Sequence, residues 1–218
     1  MLRLLSFLSV LWLWPIGTLA AESFAAQLAA LEAQLKSDPT NTALLFKAGD
    51  LCHDEGARDN AKAVVLAEKY FRRLLALDEK QAMGMALLGS VLTMRARDAF
   101  WPKTRLDYVR RGLKTMDAAV KLAPDDAEVR LVRALNNFEM PNFLNRDEIA
   151  RNDFEWIWEK AQVQPEKYPN DLKQNAALHY GLILQKNKRL EEAKQVWKKG
   201  VEIEPSTVLA REIRLHLK

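Results

Sequence analysis

The sequence predicts an all-α protein built as a stack of antiparallel helix hairpins, and three observations predict it. Leu, Ala, Lys, Arg and Glu are abundant, whereas Gly and Pro number only eight each among 218 residues. Unbranched side chains lose little rotamer freedom in a helix. Short segments that end amphipathic runs recur along the chain, at 36–39 (KSDP), 76–79 (ALDE), 121–124 (KLAP) and 202–205 (EIEP). Small and large side chains recur at fixed distances before such segments, and that spacing places them on one helix face.

The recurring side chains indicate closely packed helix pairs. Counted back from the ends of three such segments, small or apolar residues occupy the same offsets: Ala67, Gly112 and Ala193; Phe71, Met116 and Trp197; Leu74, Ala119 and Gly200. Small residues let two helices approach closely, and the large residue packs against the neighbouring pair. Because a two-helix unit cannot bury its apolar stripe alone, we expect the units to stack.

Helix start and stop signals divide the chain into ten expected helices. They span residues 24–36, 42–55, 60–77, 80–97, 103–122, 126–138, 146–164, 172–186, 190–203 and 207–217. The first stands alone, the next eight form four hairpins, and the last closes the stack. No Pro- or Gly-rich linker interrupts the series, so residues 22–218 are expected to form a single domain.

The first 21 residues are typical of a secretory signal peptide. Arg3 gives a positive start, residues 4–14 are apolar, and small residues follow at Ala20 and Ala21. The apolar run is short for a bilayer span, so cleavage after Ala20 or Ala21 is favoured over an uncleaved anchor. We therefore expect a periplasmic or secreted protein without stable membrane insertion after cleavage.

Charge and cysteine content exclude several function classes. Removal of the signal peptide, with Arg3 its one charged residue, leaves 32 Lys and Arg against 29 Asp and Glu. This small positive balance is too weak for polyanion binding, so no nucleic-acid partner is expected. Cys52 is the single cysteine, which rules out an intramolecular disulfide.

The segment 174–205 resembles a tetratricopeptide repeat. The positions that define the repeat are occupied by Ala177, Tyr180, Gly181, Leu184, Ala193, Trp197, Gly200 and Pro205. Gly181 and Ala193 are twelve residues apart, which is the spacing of the family. The resemblance implies a right-handed superhelical stack of helix hairpins, with residues 207–217 as the closing helix.

The other units have longer spacings than the family. The corresponding small positions are 18 residues apart from Gly49 to Ala67 and 23 apart from Gly89 to Gly112. The third unit is irregular as well, because Arg130 and Arg133 stand where the family has packing residues. These departures predict enlarged connections inside the hairpins.

The resemblance implies a concave face formed by the first helix of each pair. The residues expected near this face are Phe46, Asp50, His53, Met83, Ser90, Thr93, Leu131 and Leu135. Their mixture of apolar and mildly polar groups suits a peptide or protein segment better than a highly charged ligand. The implied function is a non-enzymatic scaffold or adaptor for another envelope protein, with the oligomeric state left open.

Two further surfaces leave alternatives open. Arg97, Trp101 and Arg105, at the helix-to-helix connection near residue 100, either brace that bend or face a partner. The connections at 56–66, 95–105 and 139–146 could instead form a pocket. In that case the chain would be a ligand- or anion-binding accessory protein of a solute transport system.

Arginines at expected packing positions form another candidate site. Arg130, Arg133 and Arg146 could bind an anion or form a structural network. An arginine in the core must find an acceptor, which favours the network. The acceptors considered are Asp98, Asp147 and Asp153.

The sequence offers little for catalysis, a metal or a cofactor, and we expect none. Asp50, His53 and Asp54 share a helix face and could hold a metal, but a solvated polar face is favoured. Cys52 and His53 are adjacent on a helix, so their side chains diverge by about 100°. No nucleotide-binding glycine loop or nucleophile elbow occurs. A hydrolase with an unrecognised site is the weakest of the functional hypotheses.

Overall fold

The computed structural model describes residues 23–218, and all regular secondary structure in this range is helical. The segment predicted as a signal peptide lies outside the described residues. The helices are α1 Phe24–Ser37, α2 Thr42–Ala57, α3 Ala61–Leu77, α4 Ala82–Asp98, α5 Pro102–Leu122, α6 Ala127–Phe138, α7 Asp147–Val163, α8 Asn170–Lys186, α9 Leu190–Ile203 and α10 Val208–Leu215. Each expected helix is present. No helix in the described range is long and apolar enough to cross a membrane.

Side-chain caps explain where several helices begin. The side chains of Asn41, Asn60, Asp126 and Thr207 accept hydrogen bonds from the first backbone N–H groups of α2, α3, α6 and α10. Such caps satisfy donors that have no partner within the helix. Helix α5 differs, because Trp101 precedes it without a side-chain cap and Pro102 opens it.

The helices form four hairpins, α2–α3, α4–α5, α6–α7 and α8–α9, with α1 before them and α10 after them. The first helices α2, α4, α6 and α8 contact one another in succession. Second helices contact the next first helix and have no comparable contact with one another. Because the first helices are closer together, the stack curves with its concave side on their row. We call the edge at which each first helix ends the turn edge.

The prediction of enlarged connections is wrong for the first two hairpins. Residues 58–60, 99–101 and 187–189 are the whole connections of the first, second and fourth hairpins. In the second hairpin the extra residues lengthen the helices, so that α4 has 17 residues and α5 has 21. Added helical turns satisfy their own backbone hydrogen bonds, whereas a long loop would need other partners. The 139–146 connection alone among the four is enlarged, and it contains the 3₁₀ turn Asn142–Leu144.

The recurring small residues lie where two helices cross. A Cβ atom on Gly112 would lie 2.6 Å from the carbonyl oxygen of Gly89, so α4 and α5 touch through their backbones. A Cβ atom on Gly181 would overlap the indole of Trp197. That indole is fully buried and donates a hydrogen bond to the Leu178 carbonyl at 3.1 Å.

Two large apolar clusters fill the stack. One lies within α1–α4 and the other within α6–α10. A small third cluster of Ala86, Ala119, Val120 and Val129 joins α4, α5 and α6 between them. The apolar contact is therefore thinnest at the middle of the stack, and polar groups supply additional contacts there.

Candidate binding surface

A groove with a volume of about 620 Å³ opens on the concave side of the stack, at the turn edge. It lies between the ends of α2, α4 and α6, and it is lined by Ala57, Ser90, Thr93, Met94, Arg97, Leu135, Asn136, Glu139 and Met140. Three of the residues expected on the concave face, Ser90, Thr93 and Leu135, meet in this groove. The groove therefore combines parts of three successive hairpins in one surface.

Polar side chains join the three first helices along the floor of the groove. His53 Nε2 lies 3.0 Å from Ser90 Oγ, which links α2 to α4. The Thr93 hydroxyl lies 2.8 Å from Asn136 Oδ1, which links α4 to α6. Ser90 is only 4% exposed, so it lies deeper than the open face on which the sequence placed it. These bonds hold the helix ends that form the groove at fixed distances.

Other residues expected on the concave face contribute mainly to packing. Phe46 is half-buried and meets Phe71 edge to face, with ring centroids 6.2 Å apart. Met83 and Leu131 are also half-buried and pack against the apolar clusters. These three side chains therefore offer a partner only part of their surface.

The Asp50, His53 and Asp54 group is an electrostatic cluster on α2, and His53 connects it to Ser90 of the groove. Burial raises the pKa of Asp50, the nearby Asp54 raises it further, and His53 opposes both. Contact with the His53 ring lowers the pKa of Asp54, and its Nδ1 atom lies 3.5 Å from Asp54 Oδ1. Among the described residues, no group of three or more His, Cys, Asp or Glu is arranged to hold a metal ion.

The three residues predicted at the bend near residue 100 differ: the two arginines bind groups of this chain, and the tryptophan is exposed. Arg97 binds Asp59 at 2.6 Å and the Gly56 carbonyl at 3.2 Å, which ties α4 to the end of α2. Arg105 donates to the Ala99 carbonyl at 2.6 Å. Both arginines therefore brace the bend. The Trp101 side chain is 68% exposed and makes no hydrogen bond in the described chain, and its ring contacts that of Phe100.

The three core arginines are bound to carboxylates. Asp153, which is fully buried in α7, accepts hydrogen bonds from Arg130 at 2.7 Å and from two nitrogens of Arg133 at 2.7 and 2.8 Å. Burial by itself lowers the pKa of Arg133, but its bonds to Asp153 and the charge of Asp117 outweigh burial and raise it. This geometry is that of the structural network.

Of the three alternative acceptors considered, Asp153 belongs to the network and the other two do not. Asp147 pairs with Lys186, and Asp98 pairs with Arg97. Asp117 of α5 takes their place, accepting from Arg146 at 2.7 Å and from Arg133 at 3.3 Å. No sequence signal points to Asp117, because the acceptor comes from the preceding hairpin and local spacing does not reveal it.

The single cysteine and the tryptophans of α7 and α9 contribute to packing. Cys52 is fully buried, and burial with a smaller effect of Glu32 raises the pKa of its thiol to about 12. A buried thiol of this kind is a poor nucleophile. Trp158 and Trp197 are buried, and Trp156 lies beneath the Arg130 guanidinium at 4.4 Å.

We predict that Asp153→Asn lowers the free energy of unfolding by about 3–5 kcal/mol, because two arginines lose their buried counter-charge. The matched control is Asp147→Asn, whose half-exposed pair with Lys186 is worth at most about 1 kcal/mol. Urea denaturation of the two variants measures both values. Equally small losses, together with stabilisation of the parent chain by phosphate, would show that the arginines serve an external anion.

Comparisons with known proteins agree with this architecture. Residues 175–207 match the model of the tetratricopeptide repeat. A thermophilic TPR protein of Thermus thermophilus is 18% identical, with a TM-score of 0.67 over 89% of this chain and 90% of that one. Two structures of MamA are each 20% identical over 84% of this chain. Their TM-scores are 0.52 and 0.55, over 83% and 89% of the MamA chains.

No curated protein matches the chain at a significant level. At these identities the solved structures show the fold, and the repeat model matches the α8–α9 hairpin that the sequence singled out. The chain is therefore TPR-like: it contains a tetratricopeptide repeat at residues 175–207 and has the helical stack of the tetratricopeptide-repeat proteins.

Proposed function

We propose that this chain is a non-enzymatic interaction scaffold of the cell envelope, which holds an extended segment of another protein on its concave side. The TPR fold supports protein binding in general. The observation that carries the proposal is the groove, because it brings together the ends of three first helices. An extended segment can contact all three at once, and this arrangement gives a long interface without a deep pocket.

The chemistry of the groove suits a peptide. Met94, Leu135 and Met140 supply apolar surface, and methionine adapts its shape to different partners. Asn136 can hydrogen-bond a peptide group. Glu139 is exposed and makes no ion pair within the described chain, so a Lys or Arg of the partner would pair with it.

A small-ligand or anion accessory protein is the second candidate, and the same groove is the place for it. Pockets for small molecules usually enclose most of the ligand. This groove is open along one side, which favours a chain segment over a small ligand. Ligand-dependent thermal stabilisation would support the second candidate, since a ligand bound to the native state raises its stability.

We predict that a photo-crosslinking amino acid at Met94 or Leu135 captures one envelope protein reproducibly in cells. The matched control is the same amino acid at Ala118, which is exposed on α5 away from the groove. Asn136→Arg should abolish capture from Met94, because it fills the groove beside Thr93 with a charged side chain. Equal capture from Ala118, or capture that survives Asn136→Arg, contradicts the proposal.

The compartment is the second part of the proposal, and it rests on the N-terminal sequence. We predict that the chain is recovered from the periplasm with its new N-terminus at Ala21 or Glu22, as read by intact mass. Deletion of residues 1–21 should leave the chain in the cytoplasm. Full-length mass in the membrane fraction would instead indicate an uncleaved anchor, and would leave the groove proposal untouched.

A further inference from the structure

We propose that the corner between α4 and α5 docks on an anionic lipid surface. This aromatic corner consists of residues 99–101 with the first turn of α5, and the exposed basic side chains of α5 continue from it along the helix. The contact is peripheral, and it lies at a different place from the groove that holds a protein segment.

The corner presents two adjacent aromatic rings to solvent. Phe100 is 81% exposed and Trp101 is 68% exposed, and their rings meet edge to face at 5.1 Å. Neither ring packs into an apolar cluster of the described chain. Single exposed apolar residues are ordinary on soluble proteins, but a paired Phe and Trp at a tip are suited to the membrane–water interface.

The backbone of the corner is held rigidly. Arg105 binds the Ala99 carbonyl on one side, and Arg97 binds Asp59 and Gly56 on the other. The aromatic rings therefore project from a fixed bend. A rigid projection loses little conformational freedom on binding, which favours its use as a docking element.

Helix α5 supplies positive charge that begins next to the rings at Lys103 and continues along the helix. It contains six Lys and Arg against two Asp, and Asp117 is already engaged by arginines of the core network. Four basic residues follow one another at intervals of seven, four and seven, so they share one face of the helix. These residues, all exposed and without ion pairs in the described chain, are Lys103, Arg110, Lys114 and Lys121.

The start of α5 breaks a local electrostatic preference. Lys103 lies in its first turn, which contains no acidic residue. A cation is unfavourable there because the N-terminal end of a helix is itself positive. Asp107 lies four residues further along α5, but Lys103 forms no ion pair in the described chain. A surface of lipid phosphates would offset the unfavourable position of Lys103, whereas a neutral or purely apolar protein surface would not.

The N-terminal segment joins the fold at the same edge. Helix α1 contacts α2 and connects to it through residues 38–41, so the two run antiparallel. The start of α1 therefore lies beside the end of α2, at the turn edge. Arg97 binds that end of α2 at Gly56. The first described residue therefore lies on the side of the stack that carries the corner.

The test uses the exported chain in flotation with phosphatidylcholine vesicles, made with or without phosphatidylglycerol. We expect binding only when phosphatidylglycerol is present, and we expect it to weaken sharply between about 0.1 and about 0.5 M salt, as screening requires. Absence of binding to the anionic vesicles, or equal binding to both kinds, overturns the proposal.

Two sets of variants locate the contact. Phe100→Ser with Trp101→Ser should weaken vesicle binding about tenfold or more, and Lys103→Gln with Arg110→Gln and Lys114→Gln about a hundredfold. Matched controls are Val163→Ser, which is 76% exposed at the end of α7, and the triple change Lys36→Gln, Lys80→Gln and Lys198→Gln.

None of these side chains makes a hydrogen bond or ion pair in the described chain, so we expect unchanged melting temperatures. This measurement shows that the variants remain folded. If the control variants lose as much vesicle binding as the corner variants, the contact is not specific to the corner. If the corner variants keep vesicle binding, the corner is not the lipid contact and the proposal is wrong. Capture from Met94 in the groove is scored separately, so failure here leaves the scaffold proposal standing.

Discussion

The middle of this helical stack depends on one buried carboxylate. Asp153 is fully buried, and it is held by Arg130 and Arg133 across the α6–α7 hairpin. A buried charge is tolerated only where hydrogen bonds and opposite charges surround it. Here Asp117 and Arg146 extend the set to α5 and to the connection before α7. The network lies between two large apolar clusters that are joined by a small third cluster, so it adds specific contacts where apolar packing is thin.

This arrangement connects the core to the surface. Helix α6 carries Arg130 and Arg133 toward α7, and it presents Leu135 and Asn136 to the groove. The position of the groove wall is therefore coupled to the network through one rigid helix. On the opposite wall, α4 continues past Thr93 to Arg97, which fixes the end of α2. The longer helices of the second hairpin also carry Phe100 and Trp101 beyond the packed core.

The sequence predicted the helices well because their signals are local. Caps such as Asn41 and Asp126, and the apolar spacing before each stop, act within a few residues. The added length of the second hairpin was assigned to its connection, since spacing counts residues without showing whether they continue a helix. The sequence analysis did not predict the roles of Asp117 in the network and of Glu139 and Met140 in the groove, for a different reason. Their roles arise from contacts between hairpins or beyond a helix end, where periodicity gives no signal.

The central claim is that the Asp153 network holds α6 and α7 in the arrangement that shapes the groove. Amide hydrogen exchange on the Asp153→Asn chain, compared with the parent chain residue by residue, tests it most directly. The account predicts faster exchange concentrated in α6, α7 and the neighbouring part of α5, with protection in α2 and α3 retained. Unchanged exchange in α6 and α7, or an equal loss of protection along the whole stack, would contradict it.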